Sequence, residues 1–131
     1  MTKILVVDDS ETQRFELKKV LEGAGYSVLE GVNGLDGIDK LEKNKDVALL
    51  ICDVNMPEMD GLTMCSRIHS TGQYKELQIF MLTSEASSEQ KQLAKQVGVR
   101  AWITKPFVPE KLLQAVDKVT SKTPKTPDQP R

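Results

Sequence analysis

The chain has 131 residues, 18 Lys and Arg against 19 Asp and Glu, and a formal charge of −1, which is the length of one domain with a single core. That balance gives no basic footprint for nucleic acid or an anionic membrane, and six aromatics (one Trp, two Tyr, three Phe) supply no stacking platform for single strands. Two cysteines, Cys52 and Cys65, form neither a C-x-x-C pair nor a dense disulfide framework, so a reduced compartment is expected.

The first strand is predicted over Lys3 to Asp8, and its apolar run, Ile4 to Val7, is too short for a signal-peptide core or a membrane span. A cytoplasmic protein is expected. Ser10 with Gln13 makes a capping box for a helix whose apolar stripe is Leu17, Leu21 and Ala24. Tyr26 to Gly31 reads as the second strand, followed by a helix capped by Asn33 and carrying Ile38 and Leu41. The third strand, Val47 to Cys52, leads to a helix capped by Asp60 with Leu62, Cys65 and Ile68 on one face. Gln78 to Thr83 is the fourth strand; Leu93 and Val97 mark its helix, which Gly98 stops. Arg100 to Thr104 is the fifth, and its helix starts at Pro109 and presents Leu112, Val116 and Val119. The domain is expected over residues 1–121, with a solvated Pro-rich tail or the start of a linker over 122–131.

Five strands alternating with five helices predict a parallel sheet covered on both faces, and the runs ILVV and VALLI suit strands buried on both sides. Right-handed crossovers make this a doubly wound α/β layer. The carboxyl ends of such strands share one edge, where ligands bind. Asp8 and Asp9 end the first strand, Asp53 follows the third, Thr83 and Ser84 end the fourth, and Lys105 follows the fifth. Singly, each has an ordinary reading: a strand end before a capped helix, a turn aspartate before Met56 and Pro57, a solvated lysine. Together they form a set that random placement rarely produces. Two carboxylates about 5 Å apart repel by roughly 3 kcal/mol at an effective dielectric near 20, so three in one crevice call for a cation. Hard oxygen ligands without His or Cys favour Mg²⁺, which keeps open positions for phosphate oxygens.

The segments ILVVDDS at 4–10, LLICDVNMPEMDGL at 49–62, MLTSEA at 81–86 and WITKPF at 102–107 resemble the receiver domains of two-component response regulators, in particular the single-domain, CheY-like kind. The resemblance implies a flavodoxin-like sheet of order 2-1-3-4-5 and a phosphoacceptor at Asp53, fed by a sensor histidine kinase, a histidine phosphotransfer protein or a small acyl phosphate. It implies a Mg²⁺ site from Asp8, Asp9, Asp53 and the backbone carbonyl of Asn55, with Lys105 and Thr83 on the phosphoryl oxygens and the Ser84 N–H also in contact. The Lys105–Pro106 bond is expected to be cis. Trp102 stands where the family carries its switch aromatic, usually Tyr or Phe, and Thr83 is its partner in switching. Asn55 and Glu85 are the positions that tune dephosphorylation. The expected output is a surface made by the fourth helix, fifth strand and fifth helix, spanning Ala86 to Val97, Trp102 and Val108 to Val116, which binds a downstream protein target. Chemotaxis is one pathway open to such a protein. It is expected to be a signalling module with its own phosphoryl chemistry, not an enzyme with turnover.

Other signals are weaker. GVNGLDG at 31–37 lacks dinucleotide-binding spacing, and DVNMPEMDG echoes a calcium loop but puts Pro57 at a ligand position. His69 alone builds no zinc site, and Cys52 is expected to be a buried thiol on the sheet face opposite Asp53. Three other functions remain open at this point. An aspartate-nucleophile phosphatase wants a carboxylate two residues after Asp53, where Asn55 stands; a flavin carrier wants Ser, Thr and Gly where Asp8 and Asp9 stand; and a scaffold would have no use for the filled set.

Overall fold

The computed structural model describes residues 2–84 and 86–120. Its elements are β1 (Lys3–Val7), α1 (Glu11–Gly23), β2 (Ser27–Gly31), α2 (Gly34–Lys43), β3 (Val47–Cys52), α3 (Gly61–Thr71), β4 (Gln78–Thr83), α4 (Ser88–Gln96), β5 (Val99–Thr104) and α5 (Pro109–Thr120). The sheet is wholly parallel, in the order β2-β1-β3-β4-β5. The order of connections reverses between β1 and β3, which opens a crevice at the carboxyl ends of those two strands.

Strand alternation divides the core in two. Leu5, Val7, Leu50 and Cys52 meet Leu41 of α2, Cys65 and Ile68 of α3, and Ala94 of α4. Ile4, Val6, Leu49 and Ile51 meet Leu17 and Leu21 of α1 and Leu112 and Val116 of α5. Ile4 to Val7 have no exposed surface at all, as a central strand requires, and each such side chain gains about 1.5–3 kcal/mol from burial. The helices start at the expected caps: the Gln13, Asp36 and Thr63 amides donate to the side chains of Ser10, Asn33 and Asp60. The full reciprocal capping box belongs instead to Ser87 and Gln90 at the start of α4.

Four details differ from the sequence expectation. Tyr26 precedes β2, its amide donating to the Leu21 carbonyl to close α1, and Val99 joins β5 opposite Ile79. Asp8 lies just past β1, although its amide still donates to Gly31. Leu93 is 45% exposed, while its neighbour Ala94, 100° further round α4, is fully buried against the sheet. Glu85 and residues 121–131 lie outside the described residues, and with them the expectations made there.

Candidate functional site

Asp8, Asp53 and Thr83 are the buried polar residues among those described, with 1%, 8% and 5% exposure, and all three stand at the carboxyl edge of the sheet. β1 delivers Asp8 and Asp9, with Asp8 buried and Asp9 exposed at the lip. The Asp53 amide donates to the Val7 carbonyl at 3.1 Å, which extends the β1–β3 ladder by one bond and fixes where the Asp53 side chain leaves the sheet. Behind it α3 comes very close: the Gly61 amide donates to Val54 at 2.8 Å, and a Cβ on Gly61 would lie 2.2 Å from the Asp53 carbonyl oxygen.

Lys105 closes the site from β5. Its amide donates to the Thr83 carbonyl at 2.9 Å, and the Lys105–Pro106 bond is cis, as the resemblance implied. Its Nζ lies 3.1 Å from Asp8 Oδ2 and 3.1 Å from Asp53 Oδ2. The other oxygens are held by backbone: Asp8 Oδ1 accepts from the Ser10 amide at 2.9 Å, and Asp53 Oδ1 from the Asn55 amide at 3.3 Å. Burial alone would lower the Lys105 pKa, but its bonds to Asp8 and Asp53 outweigh burial and raise it, so the ammonium is firmly protonated. Burial pushes the Asp8 carboxyl up, against the pull of the Ser10 amide and Lys105.

Asp8, Asp9 and Asp53 each offer a carboxylate oxygen, and these oxygens lie within 4.8 Å of one another. Three carboxylates paired with one ammonium leave two negative charges in a half-buried crevice, a donor set of hard oxygens that fits a divalent ion of the Mg²⁺ type. Of the positions expected from sequence, Asp8, Asp9, Asp53 and Lys105 meet in space; Thr83 is buried at the end of β4 and accepts the Lys105 amide through its carbonyl, the exposed Ser84 follows it, and Asn55 lies on the loop after β3. Trp102 stands apart on β5, in register with Met81, half-buried against the core on the α2, α3 and α4 side.

Two features next to the site escaped the sequence reading. Arg14 Nη1 donates to the Asp8 carbonyl at 2.6 Å, and its Nε to Glu30 at 3.0 Å. A signal for it existed, because Arg14 falls three residues before Leu17 and seven before Leu21, a cation on the sheet-facing stripe of α1. Cys52 and Cys65 place their sulfurs 4.0 Å apart, with Met81 Sδ 3.5 Å from Cys52, a buried sulfur cluster whose thiols are reduced.

The model of the response regulator receiver domain matches residues 4–117. The chemotaxis protein CheY1 of Helicobacter pylori is 41% identical over 118 residues, covering 89% of this chain and 95% of that protein. The structure of the chemotaxis protein CheY4 of Vibrio cholerae superposes with a TM-score of 0.85 at 40% identity, covering 91% of this chain and 98% of that one. A stretch of the sensor histidine kinase CheAY of Helicobacter pylori is 32% identical over 114 residues, 86% of this chain but 14% of the kinase.

Proposed function

The chain belongs to the response regulator receiver family, and from that premise we propose that Asp53 is its phosphoacceptor, in a Mg²⁺-dependent transfer from a histidine kinase or a histidine phosphotransfer protein. The observation that carries this reading is the position of Asp53: an 8% exposed carboxylate at the mouth of the crevice, with Lys105 at 3.1 Å and two further carboxylates beside it. Asp8, Asp9 and Asp53, with the Asn55 carbonyl, would hold Mg²⁺. When bound, the ion would supply charge neutralisation for the phosphoryl oxygens.

The chain's own residues do the rest. The ionised Asp53 carboxylate attacks phosphorus and the bond from phosphorus to the donor's nitrogen or oxygen breaks, so no base is required at Asp53. Lys105 leaves its carboxylate contacts to pair with a phosphoryl oxygen, and Thr83 and the Ser84 N–H donate to others. Asn55 offers an amide where a turnover phosphatase would need an acid, which favours an acceptor module over an enzyme; with Glu85 it sets how fast water removes the phosphoryl group. Thr83 is joined to Trp102 through β4 and β5, and the new charge repacks the surface of α4, β5 and α5 on which a protein target docks. The names of the similar proteins support a chemotaxis target, and the kinase with a similar stretch supports a histidine kinase as donor. No helix among the described residues is long and apolar enough to cross a membrane, which fits a cytoplasmic site of action.

Intact mass after incubation with acetyl phosphate and Mg²⁺ tests the reading. A gain of one phosphoryl group in the native chain, absent from Asp53→Asn and with EDTA, is the expected result. A gain that survives Asp53→Asn would move the acceptor elsewhere, and no gain even from a phosphorylated histidine donor would overturn the proposal.

A further inference from the structure

We propose that Arg14 is a positioning residue of the cation site, fixing the peptide between Asp8 and Asp9 so that both carboxylates point into the crevice; this rests on the Mg²⁺ reading above. The Arg14 side chain is 11% exposed. Its guanidinium joins three elements: it grows from the start of α1, donates through Nη1 to the Asp8 carbonyl at 2.6 Å, and donates through Nε to Glu30 of β2 at 3.0 Å. Glu30 is held in turn by Lys18, at 3.5 Å.

The Asp8 carbonyl is the oxygen of the peptide that links the buried Asp8 to the exposed Asp9. The Asp8 side chain has its own anchors in the Ser10 amide and Lys105. The direction in which Asp9 leaves is set by the plane of that peptide, and Arg14 holds the plane by a charge-assisted bond whose donor is clamped at its far side. Without the guanidinium the carbonyl can turn to water, and the Asp9 carboxylate swings away from Asp8 and Asp53. Groups one bond behind the metal ligands typically change metal affinity by about 10–100-fold when removed.

A simple field effect predicts the opposite sign. Arg14 is a positive charge near a cation site, and removing it should tighten Mg²⁺ binding if charge were its whole contribution. Calorimetric Mg²⁺ titration of the full chain, with the metal-free melting temperature recorded alongside, separates the two. The native chain should bind one Mg²⁺, Arg14→Ala about 10-fold more weakly or worse, Arg14→Lys several-fold more weakly because a shorter side chain ending in one nitrogen cannot span the Asp8 carbonyl and Glu30 as Nη1 and Nε of the guanidinium do, and Glu30→Gln close to the native value because it keeps an acceptor. Equal or tighter binding by folded Arg14→Ala, beside a native chain that binds, would overturn the proposal and leave the Mg²⁺ reading standing. A native chain that binds no Mg²⁺ would overturn both. If Arg14→Ala melts below the titration temperature, Arg14→Lys decides alone: weaker binding supports positioning, and native affinity overturns it.

Discussion

At the carboxyl edge of the sheet Lys105 reaches back across 97 residues of chain to Asp8, and at the amino edge Tyr26 reaches across 91 to Asp117. Both tie the last third of the chain to its beginning, yet they do so in opposite electrostatic settings. Tyr26 is a neutral donor, 2% exposed, with its hydroxyl on Asp117 and a second contact to Thr120. Nothing charged is buried by that contact. Lys105 instead bonds Asp8 and Asp53, both buried, with the third carboxylate of Asp9 beside them, so one ammonium faces three anions. The Tyr26 contact leaves no buried charge to balance, and the carboxyl edge does. An edge that is short of positive charge is receptive to a metal ion and stiffly built around the place where the ion would sit.

Stiffness is the first difference to attack, and the effect should be large. Gly61 has no room for a methyl group, because its Cβ would lie 2.2 Å from the Asp53 carbonyl oxygen, which is backbone and cannot rotate away. Gly61→Ala must push α3 off β3, and a loss of about 3 kcal/mol is expected, at the upper end for an overpacked site. The matched change at the amino edge is Gly23→Ala at the end of α1, where a Cβ meets nothing within 4 Å. That variant should gain about 0.5–1 kcal/mol from helix propensity and a less mobile unfolded chain. Urea denaturation of both variants reads the contrast directly, and a Gly61→Ala protein as stable as the native chain would remove the claim that this edge is closely packed.

Charge is the second. Lys105→Met leaves the Asp8 and Asp53 carboxylates facing each other, and without Mg²⁺ it should lower stability by about 2 kcal/mol, less than for a fully buried pair because the Lys105 side chain is 21% exposed. Because pairing raises the Lys105 pKa above its ordinary 10.5, the contribution is fully present below that pH and lost only as pH rises beyond it. Millimolar Mg²⁺ should restore most of the loss, since the variant presents three carboxylates with no ammonium competing for them. Equal melting temperatures for the two proteins in EDTA would show that Lys105 does not hold this edge together.

The elements were legible because their signals are local. Apolar and β-branched runs and period-3.6 stripes placed all ten, and Ser10, Asn33, Asp60 and Pro109 marked helix starts by chemistry that acts within four residues. The crevice was legible for a topological reason: parallel strands bring their carboxyl ends together whatever their order, so Asp8, Asp53, Thr83 and Lys105 had to share an edge. The order itself came from the resemblance, since nothing in the individual strands distinguishes 2-1-3-4-5 from its alternatives. Arg14 was missed although it falls on the sheet-facing stripe of α1, because its acceptor is the Asp8 main-chain oxygen, which no side chain marks. Tyr26 and Asp117 were missed because a pair 91 residues apart has no pattern to announce it. Leu93 misled because a leucine outweighs an alanine in any apolar stripe, although the smaller Ala94 is what lets α4 approach the sheet.

The smallest predicted effect falls on the amino edge, where its pH dependence makes it decisive. Tyr26→Phe keeps the ring and removes the hydroxyl, so at neutral pH it should cost about 1 kcal/mol, the net value of one hydrogen bond. Burial, then the bond to Asp117, raises the Tyr26 pKa from 10.0 to about 12. A raised value means that the folded state holds the phenolic proton more tightly than the unfolded state does. The stabilisation is therefore complete below pH 10.0 and lost as pH climbs through about 12. Phenylalanine has no proton to lose, so the stability gap between the two proteins should be flat from neutral pH to 10.0 and then fall steadily through that window. Groups that titrate in both proteins cancel in the difference. A gap that stays constant through the window would mean that the hydroxyl is not held as the structure shows. The same gap measured with and without Mg²⁺ should be identical, because the Tyr26 clasp lies at the far end of the sheet from the carboxylates, whereas the Lys105→Met gap should collapse when the ion is added.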